Sequence, residues 1–170
     1  MLQDRLNRLV ESAKKDGYAR WESIEELVDS IDRCPIEEVL SALATAGLEV
    51  HDDALPEVSD SSDDPVNIYS REMSVPPLSR EREAELGRLM RGKTRAAELA
   101  KRDLVEANLS TPVAVARQFA SERIHVLDLI QEGNIALMDA ADRFNPDGGY
   151  RFEVYARWSV RQRIKRVAEA

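Results

Sequence analysis

Little in this 170-residue chain supports covalent cross-linking or catalysis. Its one cysteine, Cys34, rules out an internal disulfide framework and reads as a small apolar residue near a helix start. There are only two histidines, His51 and His125. Neither forms a Cys–His pair at useful spacing, and no metal-ligand cluster or phosphate-cradling loop is present. His51 reads as solvated in a linker and His125 as a cap at a helix start. These absences argue against an enzyme and imply no metal and no cofactor. No apolar run approaches the roughly 18 residues of a membrane span. The N-terminus, MLQDRLNRLVESAKK, lacks the apolar core of a signal peptide. A cytoplasmic protein with no membrane partner is expected. Internal repeats are absent, as are strictly alternating β-branched runs. The expected fold is therefore all-α, with at most a short strand around Leu48–Val50.

What the chain does have is charge, unevenly spread. Charged residues make up 33 % and hydrophobic residues 43 %, enough for a core under a heavily charged surface. Residues 1–64 carry 17 acidic and 6 basic side chains, a net of −11. Residues 65–142 carry 12 and 11, a net of −1, and residues 143–170 carry 3 and 7, a net of +4. An acidic head and a basic tail imply that only the tail meets phosphate.

Leu2, Leu6, Leu9, Val10 and Ala13 recur at helical spacing, and Gly17 closes that helix. Ser23 followed by Glu26 reads as a capping box opening a second helix through Ile24, Leu27, Val28 and Ile31. Pro35 suits the first turn of a third helix, with Gly47 past its end. Residues 1–50 are thus expected to form an acidic three-helix domain with Trp21 in its core. Residues 51–63, rich in Ser and Asp, have too little apolar surface to fold and read as a flexible linker. Residues 64–170 are expected to form a helical domain. Pro76 and Pro77 break it once, and Ser79 caps a helix towards Gly92. Further helices are expected at about 94–109, 111–121 and 127–143, and from Phe152 to the end, with a turn at NPDGG, 145–149.

Two helices carry candidate surfaces. On the last one, Tyr155, Trp158, Gln162 and Lys165 share a stripe, with Ser159 and Arg166 beside it and Arg157 and Arg161 flanking. Ala156, Val160, Ile164 and Val167 fall opposite and can pack inward. Rings, an amide and cations on one face suit unpaired nucleic-acid bases, because aromatics stack on bases and cations hold the backbone. The same spacing also fits core aromatics beside a solvated basic edge. On the preceding helix, Ile130, Leu137, Ala141 and Phe144 make an inward stripe. Asp128, Gln131, Glu132, Ile135 and Met138 make a second, mixing acid, amide and apolar groups as a protein-binding surface does. An ordinary amphipathic helix with an exposed Met reads the same way.

The residues themselves narrow the choice. LDLIQEGNIALMDAADRFNPDGGYRFEVYARWSVRQRIKR (127–166) closely resembles region two of bacterial primary sigma factors. DDPVNIYSREM (63–73) resembles the family segment before it, and KRDLVEANL (101–109) the start of region two. The first 50 residues, including KKDGYARWESIEELVDS, look like the acidic N-terminal domain of housekeeping members, a DNA mimic that keeps free sigma off DNA. The resemblance implies that Asp128, Gln131, Glu132, Asn134, Ile135 and Met138 dock on the coiled coil of the polymerase's largest subunit, β′. It implies that the last helix captures the non-template strand of the minus-ten element, with an adenine flipped onto Tyr155. Tyr150 and Phe152 match neighbouring aromatic positions, Trp158 a wedge against the upstream duplex, and Gln162 a contact to the upstream base pair. Arg157, Arg161, Lys165 and Arg166 complete the expected DNA side, and Asn108 matches a position that helps hold a downstream thymine.

The chain also departs from the family pattern. Ser159 stands where a second Trp is expected, Lys165 where a Thr is usual, and Glu153 where Ser is usual. Asn67 and Ser70 replace an Arg and usually a Met, and Ser110, Thr111 and Pro112 replace an Arg-Leu-Val run. Pro112 should break or restart its helix. Most departures fall on the DNA side. Two functions are therefore expected: sigma-type initiation at a minus-ten element, or a degenerate paralogue that occupies the polymerase and competes with functional sigma factors. The chain stops before the family's later helical domains, so it reads as a fragment or a short paralogue.

Overall fold

The computed structural model describes residues 1–52 and 64–170. The expected linker lies outside the described residues from position 53 onward. The chain divides into two compact units, one of Met1–Ala54 with Asp147–Tyr150 and the other of Leu55–Pro146 with Arg151–Ala170.

The first unit contains α1 (Leu2–Asp16), β1 (Tyr18–Arg20), α2 (Trp21–Asp29), α3 (Ile36–Thr45) and β2 (Glu49–His51). Gly17 ends α1 in the left-handed conformation, φ 84°, with its N–H donating to the Ala13 carbonyl. Leu6, Leu9, Ala13, Trp21, Ile24, Leu27, Ile36, Val39, Leu40 and Leu43 form the core. The expected capping box does not form. Arg20 is the N-cap of α2 without a side-chain bond, and Ser23 already lies inside the helix. The extended residues 18–20 deliver the chain into α2 at Trp21, which is 2 % exposed, so burial of the indole sets the start. The short strand around Leu48–Val50 is present as β2. It pairs in parallel with β1, Ala19 opposite Val50, a partner the periodicity did not show. His51 closes β2, its ring 4.7 Å from Tyr18.

The second unit contains α4 (Pro65–Glu72), α5 (Arg80–Leu89), α6 (Arg95–Glu106), α7 (Ser110–Phe119), α8 (Val126–Arg143) and α9 (Phe152–Glu169). Side chains at the expected positions start several of them. Asp64 accepts from Val66 N–H, Ser79 from Arg82 N–H, and Thr94 from Ala97 N–H. His125 Nδ1 accepts from Leu127 N–H, the capping role expected of it. Pro112 lies in the first turn of α7 and restarts the chain there. α7, α8 and α9 pack on one another around Val113, Ala116, Leu129, Leu137, Phe152, Ala156, Val160 and Ile164. Gly133 lets α8 approach closely: a Cβ there would lie 2.8 Å from Pro112 Cβ and 3.1 Å from Ile164 Cδ1. The described residues are mostly helical, as expected, and no helix among them is long and apolar enough to cross a membrane.

Candidate nucleic-acid interface

The start of α9 is fixed from a distance. Its N-cap, Arg151, supplies no side-chain cap. Glu83 of α5 does so instead. Phe152 N–H donates to Glu83 Oε2 at 3.2 Å, and Arg151 reaches Glu83 Oε1 at 3.1 Å through Nη2 and Oε2 at 3.3 Å through Nε. Arg151 Nη2 also donates to the Leu78 carbonyl at 2.8 Å. Glu83 is 2 % exposed. Burial pushes its carboxyl above the ordinary 4.5, outweighing the Arg151 hydrogen bond and charge that pull it down. The direction and entry of α9 are therefore set by a buried ion pair.

Once fixed, α9 faces both α7 and α8, so its buried arc is wider than a single apolar stripe. That takes Tyr155 inside. The stripe reading placed it outward with Trp158, Gln162 and Lys165, but the ring is 2 % exposed and stacks near the Trp158 ring, 6.4 Å away and tilted 20°. Phe152 and Tyr150 are also buried. Asn108 is buried and donates to the Leu104 carbonyl at 2.8 Å. Trp158, Gln162, Arg157, Arg161 and Lys165 are half-buried, and Arg166 is exposed.

Between α8 and α9 lies a groove of about 220 Å³. Tyr155, Trp158, Ser159, Gln162, Arg163 and Arg166 line it from α9, and Ala136, Asp139, Ala140 and Arg143 from α8. Trp158 Nε1 and Gln162 Nε2 are buried without a hydrogen-bond partner. A buried donor left unpaired is costly, so such atoms mark a place where an acceptor is due. An aromatic wall, unpaired donors and three arginines suit a base with its phosphate. Not every expected cation faces that groove. Arg161 donates to Gln118, and its guanidinium stands 5.3 Å over the Phe119 ring. Arg157 lies 3.9 Å from Glu153, which is also 3.6 Å from Arg151.

The second surface lies along α8. Asp128, Gln131, Ile135 and Met138 are exposed, the last two at 40 % and 43 %, and Leu127 joins them at 43 %. Glu132 and Asn134 are half-buried. Glu132 pairs with Arg163 of α9 at 2.7 Å, and Asn134 donates to the Tyr69 hydroxyl at 3.5 Å. Sequence reasoning missed Glu83, Arg151, Asp139, Arg143 and Arg163. Glu83 gave no signal, since it sits among charged neighbours that read as surface, and Arg151, between Tyr150 and Phe152, gave none because its partner is 68 residues away.

Residues 104–168 match the family model described as sigma-70 region 2. The chain is 32 % identical over 178 residues to the RNA polymerase sigma factor SigA of Clostridium acetobutylicum, covering 95 % of this chain and 46 % of that protein. It is 34 % identical over 192 residues to a SigA from Bacillus sp, covering 95 % and 50 %. It is 40 % identical over 106 residues to the sigma factor RpoS of Coxiella burnetii, covering 62 % and 30 %. The chain spans half or less of the length of these relatives.

Proposed function

The chain belongs to the primary sigma factor family of bacterial RNA polymerase, and we propose that it binds core polymerase and acts in transcription initiation through its α8 and α9 surfaces. The observation that carries this reading is the solvent-facing row Asp128, Gln131, Ile135 and Met138. An acid and an amide give register and on-rate against a basic helical partner, while the apolar pair supplies burial. The coiled coil of the β′ subunit is the proposed partner. The α8–α9 groove is the proposed seat of the non-template strand of the minus-ten element. Trp158 offers the stacking face, Gln162 and the indole N–H offer donors, and Arg143 and Arg166 offer charge to phosphates. Flipping a base costs a few kcal/mol, which stacking offsets. No bond is made or broken.

Tyr155 cannot serve that step as an open platform, because its ring is interior; it backs Trp158 instead. The test therefore uses Trp158→Ala and single-stranded minus-ten DNA with the chain bound to polymerase. Loss of the stacking face should weaken binding by about 1–3 kcal/mol. Unchanged binding would show that the groove does not receive a base.

A second reading has its own support: the chain occupies polymerase and competes with functional sigma factors. Arg157 and Arg161 are engaged within the protein, and Glu153 brings negative charge to the start of α9. Transcription from a promoter that lacks a minus-thirty-five element separates the two. Stimulation supports initiation, and inhibition supports competition.

A further inference from the structure

The hairpin of α5 and α6 ends in a basic tip that the surfaces above leave unused. Arg88, Arg91, Lys93 and Arg95 lie within eight residues, and no acidic residue occurs from Leu86 to Ala97. All four are exposed in a chain whose net charge is −8. The tip stands on a firm base. Leu86, Ala97, Ala100 and Leu104 are buried beneath it. Gly87 meets the end of α8 so closely that a Cβ there would lie 2.9 Å from both Phe144 Cε1 and Pro146 Cβ. That contact puts the residue before Arg88 against the residue after Arg143, a cation of the α8–α9 groove.

Helix electrostatics accounts for only part of the cluster. Arg88 lies in the last turn of α5, where a cation suits the negative end of the helix dipole. Lys93 and Arg95 flank Thr94, the N-cap of α6, at a positive end where cations are disfavoured. Local rules broken without a local gain are what a functional surface looks like. The rigid base and the closeness to Arg143 say which kind of surface.

We infer that the α5–α6 tip is a sequence-independent phosphate clamp, holding the backbone of duplex DNA beside the strand seated in the α8–α9 groove. The inference rests on the nucleic-acid reading of that groove. A clamp of this type neutralises phosphates and releases counterions, so it reads out as salt dependence rather than as base preference.

The test is a fluorescence titration of the full chain bound to core polymerase. Its probe is a forked promoter fragment, duplex joined to single-stranded minus-ten DNA, from about 50 to about 200 mM salt. The variant is Lys93→Gln with Arg95→Gln. The slope of log affinity against log salt should fall by about 2, close to 1 for each lost contact, with affinity down several-fold at the low-salt end for every sequence tried. Lys14→Gln with Lys15→Gln, which removes the same charge from exposed positions of α1, should leave the slope unchanged. On the single-stranded oligonucleotide alone the tip variant should bind as the parent does. An unchanged slope on the fork overturns the clamp. So does a variant that loses core polymerase but keeps its DNA slope, since an acidic protein surface is then the occupant. If the parent chain binds no DNA at all, the groove reading fails together with the clamp.

Discussion

At the scale of single residues, the account turns on side chains whose burial reverses their apparent roles. Tyr155 is interior, so Tyr155→Ala should cost about 3–5 kcal/mol of stability, the usual cost of truncating a core aromatic. Chemical denaturation checks it. A loss of DNA binding in that variant would report on folding, whereas Trp158→Ala reports on stacking. Glu83 is the other case. Removing Glu83 leaves the buried Phe152 N–H without its acceptor while Arg151 keeps Leu78 and Glu153, so Glu83→Ala should destabilise by about 1–3 kcal/mol. Its titration gives a signed prediction. Because its carboxyl is raised in the folded state, the fold binds more protons than the unfolded chain above pH 4.5. That contribution is full below 4.5 and fades as pH rises through the raised value. Measured against Glu83→Gln, the parent should therefore lose relative stability with rising pH in that window. A flat difference between the two would remove the burial argument.

At the scale of elements, packing decides against propensity. Gly133→Ala replaces a poor helix former and should gain up to about 1 kcal/mol on that ground alone. The new methyl meets Pro112 at 2.8 Å, and overpacking of that kind costs about 1–3 kcal/mol. The expected result is a net loss, seen as a lower melting temperature. The Glu132–Arg163 pair joins the two proposed surfaces. Both side chains are about a third exposed, so the pair is worth at most about 1 kcal/mol. Arg163→Ala should free Glu132 and tighten polymerase docking by up to about fivefold, while weakening DNA in the groove. The order and type of the helices after Asp64 were legible because caps and apolar spacing agreed. Ser23 misled because its pattern looks like a cap, whereas the start of α2 is set by burial of Trp21 and by a strand whose partner is some 30 residues away. Three-residue strands carry too little alternation to be read locally.

At the scale of the whole chain, the charge gradient separates the roles. The acidic excess lies before residue 65, and the cations gather in the last helix and at the α5–α6 tip. The second stripe of α8 was legible because it pairs acid and amide with apolar groups on one face; Asp128, Gln131, Ile135 and Met138 are exposed there, whereas Glu132 and Asn134 turn to Arg163 and Tyr69. The face proposed for DNA was less legible. Its outline followed from aromatics and cations on α9, but which of them face outward depends on how α7 and α8 both press on that helix. The account rests on α8 as a docking face, and a direct titration of the chain with core RNA polymerase tests it. The prediction is saturable binding that a full-length SigA competes away and that Asp128→Arg weakens at least about tenfold, since like charges set against a basic partner cost several kcal/mol. Absence of binding, or equal binding by the Asp128→Arg variant, would contradict it.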